Sequence, residues 1–161
     1  MNDRRQSRSL PLILFCPNRE PTPFSYSIRM FHSPDYNGPL MAPTILIVED
    51  EPMLAFLLEE VLVDAGFESA GIAGRLETVL SRLDGGPFAD ALLDSNLAGV
   101  STGPAATALA VRGLPFVVVS GYSIDQQPKE FSGAPSLQKP CRASQLIQAL
   151  CGILPAFEIA R

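Results

Sequence analysis

Residues 44–155 predict a doubly wound α/β sandwich. Three observations carry this. Short apolar runs of strand length alternate with stretches of helical period, the runs lack the in–out alternation of a half-solvated sheet, and Gly or Pro stands at most boundaries. Strands separated by helices pair in parallel through right-handed crossovers, so both faces of the sheet are covered.

The first strand is predicted at 45–48, Ile-Leu-Ile-Val, and runs into Glu49-Asp50-Glu51. Pro52 suits the first turn of a helix. Its apolar residues Leu54, Leu57, Leu58, Val61 and Ala65 recur at helical spacing, and Gly66 closes it. A strand near 68–72 and a helix near 76–83 follow, then a strand at 89–93 that ends on Asp94. A helix of small residues spans about 103–111, and a fourth strand at 116–119 delivers Ser120-Gly121-Tyr122. Residues 123–134 hold Pro128 and Gly133 and show little helical period, so this connection is expected to be partly irregular. A brief strand at 136–138 precedes Lys139-Pro140, and the last helix is predicted at 143–154.

Residues 1–43 differ in character. The first 40 contain six prolines and five arginines and have no sustained period, which predicts a poorly ordered extension, or a segment upstream of a true start at Met41. The apolar run from Leu10 to Cys16 is far shorter than the ~20 residues that span a bilayer. Arg4, Arg5 and Arg8 precede that run, but no small-residue cleavage site of a secretory signal follows it. Residues 156–161 read as a short tail, too short for an output module.

Charge and composition remove several function classes. The first 40 residues carry a net +2, which leaves −7 on the remainder of a chain whose total is −5. An acidic domain repels phosphate backbones, so nucleic acid is not an expected partner, and neither is a membrane. The single histidine, His32, lies in the extension, which excludes a histidine-centred catalytic site from the folded part. Cys16, Cys141 and Cys151 show no paired spacing, so neither a disulfide framework nor a zinc site is expected. Cys141 and Cys151 read as small hydrophobic residues of the last helix region, and a reducing cytoplasm is the expected compartment.

In a sheet of this kind, ligands sit outside the carboxyl ends of the strands, near the point where strand order reverses. Glu49-Asp50-Glu51 follows the first strand, Asp94 the third, Ser120 the fourth and Lys139 the fifth. Taken singly, each has a plainer reading: acids favoured at a helix N-terminus, an Asp-Ser-Asn turn, a strand-end Ser-Gly turn, a solvated lysine. Gathered at one edge, the carboxylates repel one another unless something offsets them. One or two carboxylates with waters and phosphate is the usual Mg²⁺ arrangement, and Lys139, one of only two lysines in the chain, adds a positive point charge.

Four segments in order resemble the signature of the response-regulator receiver domain: Ile-Leu-Ile-Val-Glu-Asp-Glu-Pro, Ala-Leu-Leu-Asp-Ser-Asn-Leu-Ala-Gly, Val-Val-Val-Ser-Gly and Leu-Gln-Lys-Pro. The resemblance covers about residues 44–155. It implies a flavodoxin-like (βα)5 doubly wound parallel sheet with strand order 2-1-3-4-5, and a stand-alone response regulator of a two-component phosphorelay. By the same resemblance Asp94 is the phosphoacceptor, taking its phosphoryl group from a histidine kinase or phosphotransfer protein. Asp50 would bind Mg²⁺ (or Mn²⁺) directly and Glu49 through water, with Asp94 and the backbone carbonyl of Asn96 as further ligands. Ser120 and Lys139 would each hold a phosphoryl oxygen. Asn96 and Tyr122 fall where side chains modulate hydrolysis and switching.

Pro115-Phe116-Val117-Val118-Val119-Ser120-Gly121-Tyr122 is also similar to a subgroup of single-domain receivers, known mainly from alphaproteobacteria, whose segment reads Pro-Phe-x-Phe-Ala-Thr-Gly-Tyr. Val118, Val119 and Ser120 depart from that pattern, and Ser120 keeps the hydroxyl. Three residues before Lys139, where most receivers carry an aromatic switch, stands Ser136, which leaves Tyr122 as the candidate reporter. The expected chemistry is that of a switch rather than an enzyme, limited to gain and loss of its own phosphoryl group, with output through protein contacts. Two alternatives stay open. One is a receiver-like adaptor that docks without phosphorylation. The other is a phosphohydrolase with an aspartyl nucleophile, against which Asn96 stands where a second acid would be needed.

Overall fold

The computed structural model describes residues 42–154 apart from residue 87, together with Ile13–Phe15 and Arg29–Phe31, two short strands that pair antiparallel. The expectations for the rest of the extension, including His32 and the alternative start at Met41, and for the C-terminal tail lie outside the described residues.

Five parallel strands form the central sheet: β1 (Thr44–Val48), β2 (Glu68–Ala73), β3 (Asp90–Asp94), β4 (Phe116–Ser120) and β5 (Ser136–Gln138). Their order is β2-β1-β3-β4-β5, the order the resemblance implies. Four helices cover the sheet: α1 (Pro52–Asp64), α2 (Leu76–Leu83), α3 (Gly103–Val111) and α4 (Ala143–Ile153).

Strand alternation divides the core in two, because successive side chains point to opposite faces. Leu46, Val48, Ala91, Leu93, Phe116 and Val118 pack with Val79 and Leu83 of α2 and with Ala105, Ala106 and Leu109 of α3. Ile45, Ile47, Leu92, Val117 and Val119 pack with Leu58 and Leu62 of α1 and with Leu146, Ile147 and Leu150 of α4. The runs carry no polarity alternation because both faces are dry. Among the described residues, no helix is long and apolar enough to cross a membrane.

Between β4 and β5 the chain makes two short 3₁₀ turns, Ile124–Gln126 and Lys129–Phe131, in place of a regular helix. Pro128 and Gly133 break any longer period, and buried Phe131 ties the connection to the α3 side of the core. The side chain of Gln127 donates to the Ser136 hydroxyl at 2.6 Å, which fastens this connection to β5.

Three features went beyond the sequence expectation. After β3, Asn96–Leu97 and Val100–Ser101 form a small antiparallel hairpin, turned by Ala98 and Gly99 with φ of 48° and 89°. Positive φ at both central residues is the hairpin turn whose twist matches its strands. The second feature corrects an expectation: Cys141 is a free thiol, but Cys151 is disulfide-bonded. Spacing along a chain does not reveal pairing between residues far apart in sequence, which is why the cysteine pattern gave no sign of a bridge.

The edge strand β2 carries a bulge where its register against β1 shifts between Ile45 and Ile47. Gly71 supplies the extra residue at φ +97°; its N–H donates to the Ser69 hydroxyl at 3.0 Å, and Arg82 donates to the Ala70 carbonyl at 2.7 Å. A Cβ at Gly71 would lie 3.0 Å from Nη1 of Arg82. Gly71→Ala is therefore expected to lower stability by about 1–2 kcal/mol in urea unfolding, from backbone strain and displacement of Arg82. An unchanged midpoint would show that the bulge can relax.

Candidate functional site

The carboxyl ends of the parallel strands share one edge, where Glu49 just past β1, Asp94 at the end of β3 and Lys139 just past β5 meet. Glu49 prolongs β1 by donating its N–H to the Ala73 carbonyl at 3.2 Å, which draws its side chain into the sheet edge with only 3% exposure. One carboxylate oxygen accepts from the Glu51 N–H at 3.1 Å, so Glu49 satisfies a backbone donor at the start of α1, while Glu51 itself makes no side-chain cap. The other accepts from Nζ of Lys139 at 2.9 Å.

Asp94, 8% exposed, accepts from the Asn96 N–H on Oδ1 at 3.1 Å and from Nζ of Lys139 on Oδ2 at 2.7 Å. Lys139 reaches both acids because its N–H donates to the Ser120 carbonyl at 2.8 Å, extending the β4–β5 pairing by one residue. Asp50 is exposed at the mouth. Carboxylate oxygens of Glu49, Asp50 and Asp94, one from each, lie within 4.8 Å of one another.

The electrostatics follow from that packing. Burial pushes the Glu49 carboxyl above its usual range, opposed by the hydrogen bonds from Lys139 and the Glu51 amide. Burial alone would weaken the hold of Lys139 on its proton, but its bonds to Asp94 and Glu49 prevail and raise its pKa. Three carboxylates against one ammonium leave a surplus of negative charge. An all-oxygen cluster with one exposed member suits a hard divalent cation.

Ser120 is fully buried, and its Oγ accepts from the Ser95 hydroxyl at 2.8 Å and from the Tyr122 N–H at 3.0 Å. Tyr122 is 56% exposed, so more than half of its surface is open to solvent. The Asn96 side chain is occupied in the hairpin turn, where it accepts from the Gly99 N–H at 2.7 Å.

Two residues that the sequence did not single out belong to this neighbourhood. Ser95 pairs with Ser120, and fully buried Thr102 donates its hydroxyl to the Asp94 carbonyl and its N–H to the Ser95 carbonyl. Their partners are set by tertiary packing. The only hint in the chain is a hydroxyl residue directly after a strand-end aspartate.

No family model and no curated protein matches the chain. Solved structures do. SdrG from Sphingomonas melonis Fr1 aligns at 38% identity and a TM-score of 0.62, covering 70% of this chain and 97% of that one. A response regulator receiver protein from Sinorhizobium medicae WSM419 aligns at 26% identity and a TM-score of 0.64, covering 73% and 98%. The receiver domain of the sensor histidine kinase PA1611 from Pseudomonas aeruginosa PAO1, solved with magnesium coordinated in its active site cleft, shares the fold at 17% identity and a TM-score of 0.61, over 70% and 97%. The fold, the acid-rich strand edge and the 38% identity across nearly all of SdrG lead to one assignment: this chain belongs to the response-regulator receiver domains.

Proposed function

We propose that the chain is a phosphorylation switch in which Asp94 accepts a phosphoryl group from the phosphohistidine of a histidine kinase or phosphotransfer protein. The observation that carries this reading is the Lys139 ammonium held between Asp94 at 2.7 Å and Glu49 at 2.9 Å, beside a third carboxylate on Asp50. An Asp94 oxygen attacks phosphorus, the P–N bond breaks, and the imidazole leaves with the bonding electrons. A carboxylate is a poor nucleophile toward an anionic phosphate unless the equatorial charge is drawn off, and Lys139 and the Ser120 hydroxyl are the donors for those oxygens. Glu49, Asp50, Asp94 and the Asn96 carbonyl would hold Mg²⁺ or Mn²⁺, which when bound supplies further charge neutralisation.

The product carries more negative charge and more acceptor oxygens than the carboxylate it replaces. Ser120 and Lys139 are drawn toward it, and the segments attached to them move: the connection with the two 3₁₀ turns, β5 and the start of α4. With Ser136 tied to Gln127, exposed Tyr122 is the side chain that reports the change to a partner. This reading puts the protein in the cytoplasm with its kinase, where the Cys151 bridge would be reduced or transient.

Incubation with Mg²⁺ and a small phosphodonor, followed by mass mapping, tests the proposal. The expected product is a single acid-stable, base-labile phosphate on Asp94, absent when the metal is chelated. A protein that takes no label, or takes it elsewhere, is a docking adaptor or a different chemistry. Multiple turnover of a simple phosphate ester would point to the phosphohydrolase.

A further inference from the structure

We infer that Ser95 is a positioning residue for phosphoryl transfer, fixing the hydroxyl of Ser120 in one rotamer; this rests on the phosphoacceptor reading above. Ser120 Oγ has two lone pairs and one proton. The Tyr122 N–H donates to one lone pair at 3.0 Å and the Ser95 hydroxyl lies 2.8 Å away, so with Ser95 as donor both lone pairs are filled. In that arrangement donation is the only hydrogen-bonding capacity left to Ser120, and a donor is what a phosphoryl oxygen requires.

The need for such a clamp lies in the side chain itself. A threonine at this position would be stiff at χ1 because of its branched Cβ, whereas serine moves freely among its rotamers. Ser120 is fully buried and Ser95 only 6% exposed, so water does not readily replace this contact. Ser95 is held in turn by backbone on both sides, with its N–H on the Val119 carbonyl at 3.1 Å and its carbonyl accepting from Thr102 at 3.1 Å. Its hydroxyl thus comes from a fixed point at the end of β3.

The test is a double-substitution cycle on the full chain, read as the rate of labelling by a small phosphodonor with Mg²⁺. Ser95→Ala is expected to slow labelling by about 2- to 12-fold, the range for one neutral hydrogen bond. In the Ser120→Thr background the same substitution is expected to cost less than about 2-fold, because the branched side chain holds its own rotamer. Without metal or donor, the Tyr122 amide resonance of Ser95→Ala should shift and its hydrogen exchange quicken. Equal losses in both backgrounds would make Ser95 merely structural and overturn the inference, as would no loss in the Ser120 background while wild type is labelled. Wild type that takes no label removes the phosphoacceptor reading and this inference together.

Discussion

Lys139→Ala is expected to slow phosphoryl transfer to Asp94 by about 100- to 1000-fold, the loss typical of deleting one preorganised charged donor from a reacting centre. The same substitution leaves Glu49, 3% exposed, and Asp94, 8% exposed, as adjacent buried carboxylates with no cation between them. Removing one partner of a buried pair costs more than the pair itself contributes, because the remaining charge has lost its compensation. Lys139 keeps 27% of its side-chain surface in solvent, so the stability loss is expected at about 2 kcal/mol, between the surface and fully buried cases. The surplus negative charge then becomes available to metal. Mg²⁺ should raise the melting temperature of the variant by more than that of wild type. Labelling at the wild-type rate, or equal Mg²⁺ shifts in the two proteins, would show that the ammonium is a bystander.

That such a centre could be read from sequence at all depends on where its parts lie. Glu49, Asp94, Ser120 and Lys139 each stand at or just past a strand end, and strand ends are marked by abrupt changes from aliphatic to polar residues. Parallel topology then obliges those ends to share an edge. Which carboxylate is buried was not legible. Glu49 and Asp50 are neighbours of the same charge, and only the extra hydrogen bond of Glu49 to Ala73 turns one inward and leaves the other exposed. The Ser95–Ser120 contact was hidden for a similar reason, since it joins residues 25 apart across two strands. The bulge at Gly71 and the hairpin at Ala98-Gly99 lay below the resolution of periodicity, which registers strands of five residues better than a single inserted one.

Asp90 was equally invisible, and it predicts the second large effect, at the opposite end of the sheet. It begins β3 paired with Ile45, has no exposed surface, and neither carboxylate oxygen has a hydrogen-bond partner among the described residues. Burial pushes its pKa from 3.8 up to about 6. A folded-state value above the unfolded one means that the folded protein holds this proton more tightly. The favourable contribution is fully present below 3.8 and is lost as pH rises through about 6. At pH 8 the ionised group therefore destabilises the fold by roughly 3 kcal/mol relative to its protonated form. Asp90→Ala removes that charge and leaves a small void, so the variant is expected to be about 1–3 kcal/mol more stable than wild type at pH 8. The difference should shrink steadily from pH 6 toward pH 4, where wild type is protonated too. Urea unfolding of both proteins across that interval measures it, and the subtraction cancels every other titrating group the two share. A variant less stable than wild type at pH 8, or a difference that does not change with pH, would mean that Asp90 is stabilised in its charged form by a contact the fold does not display.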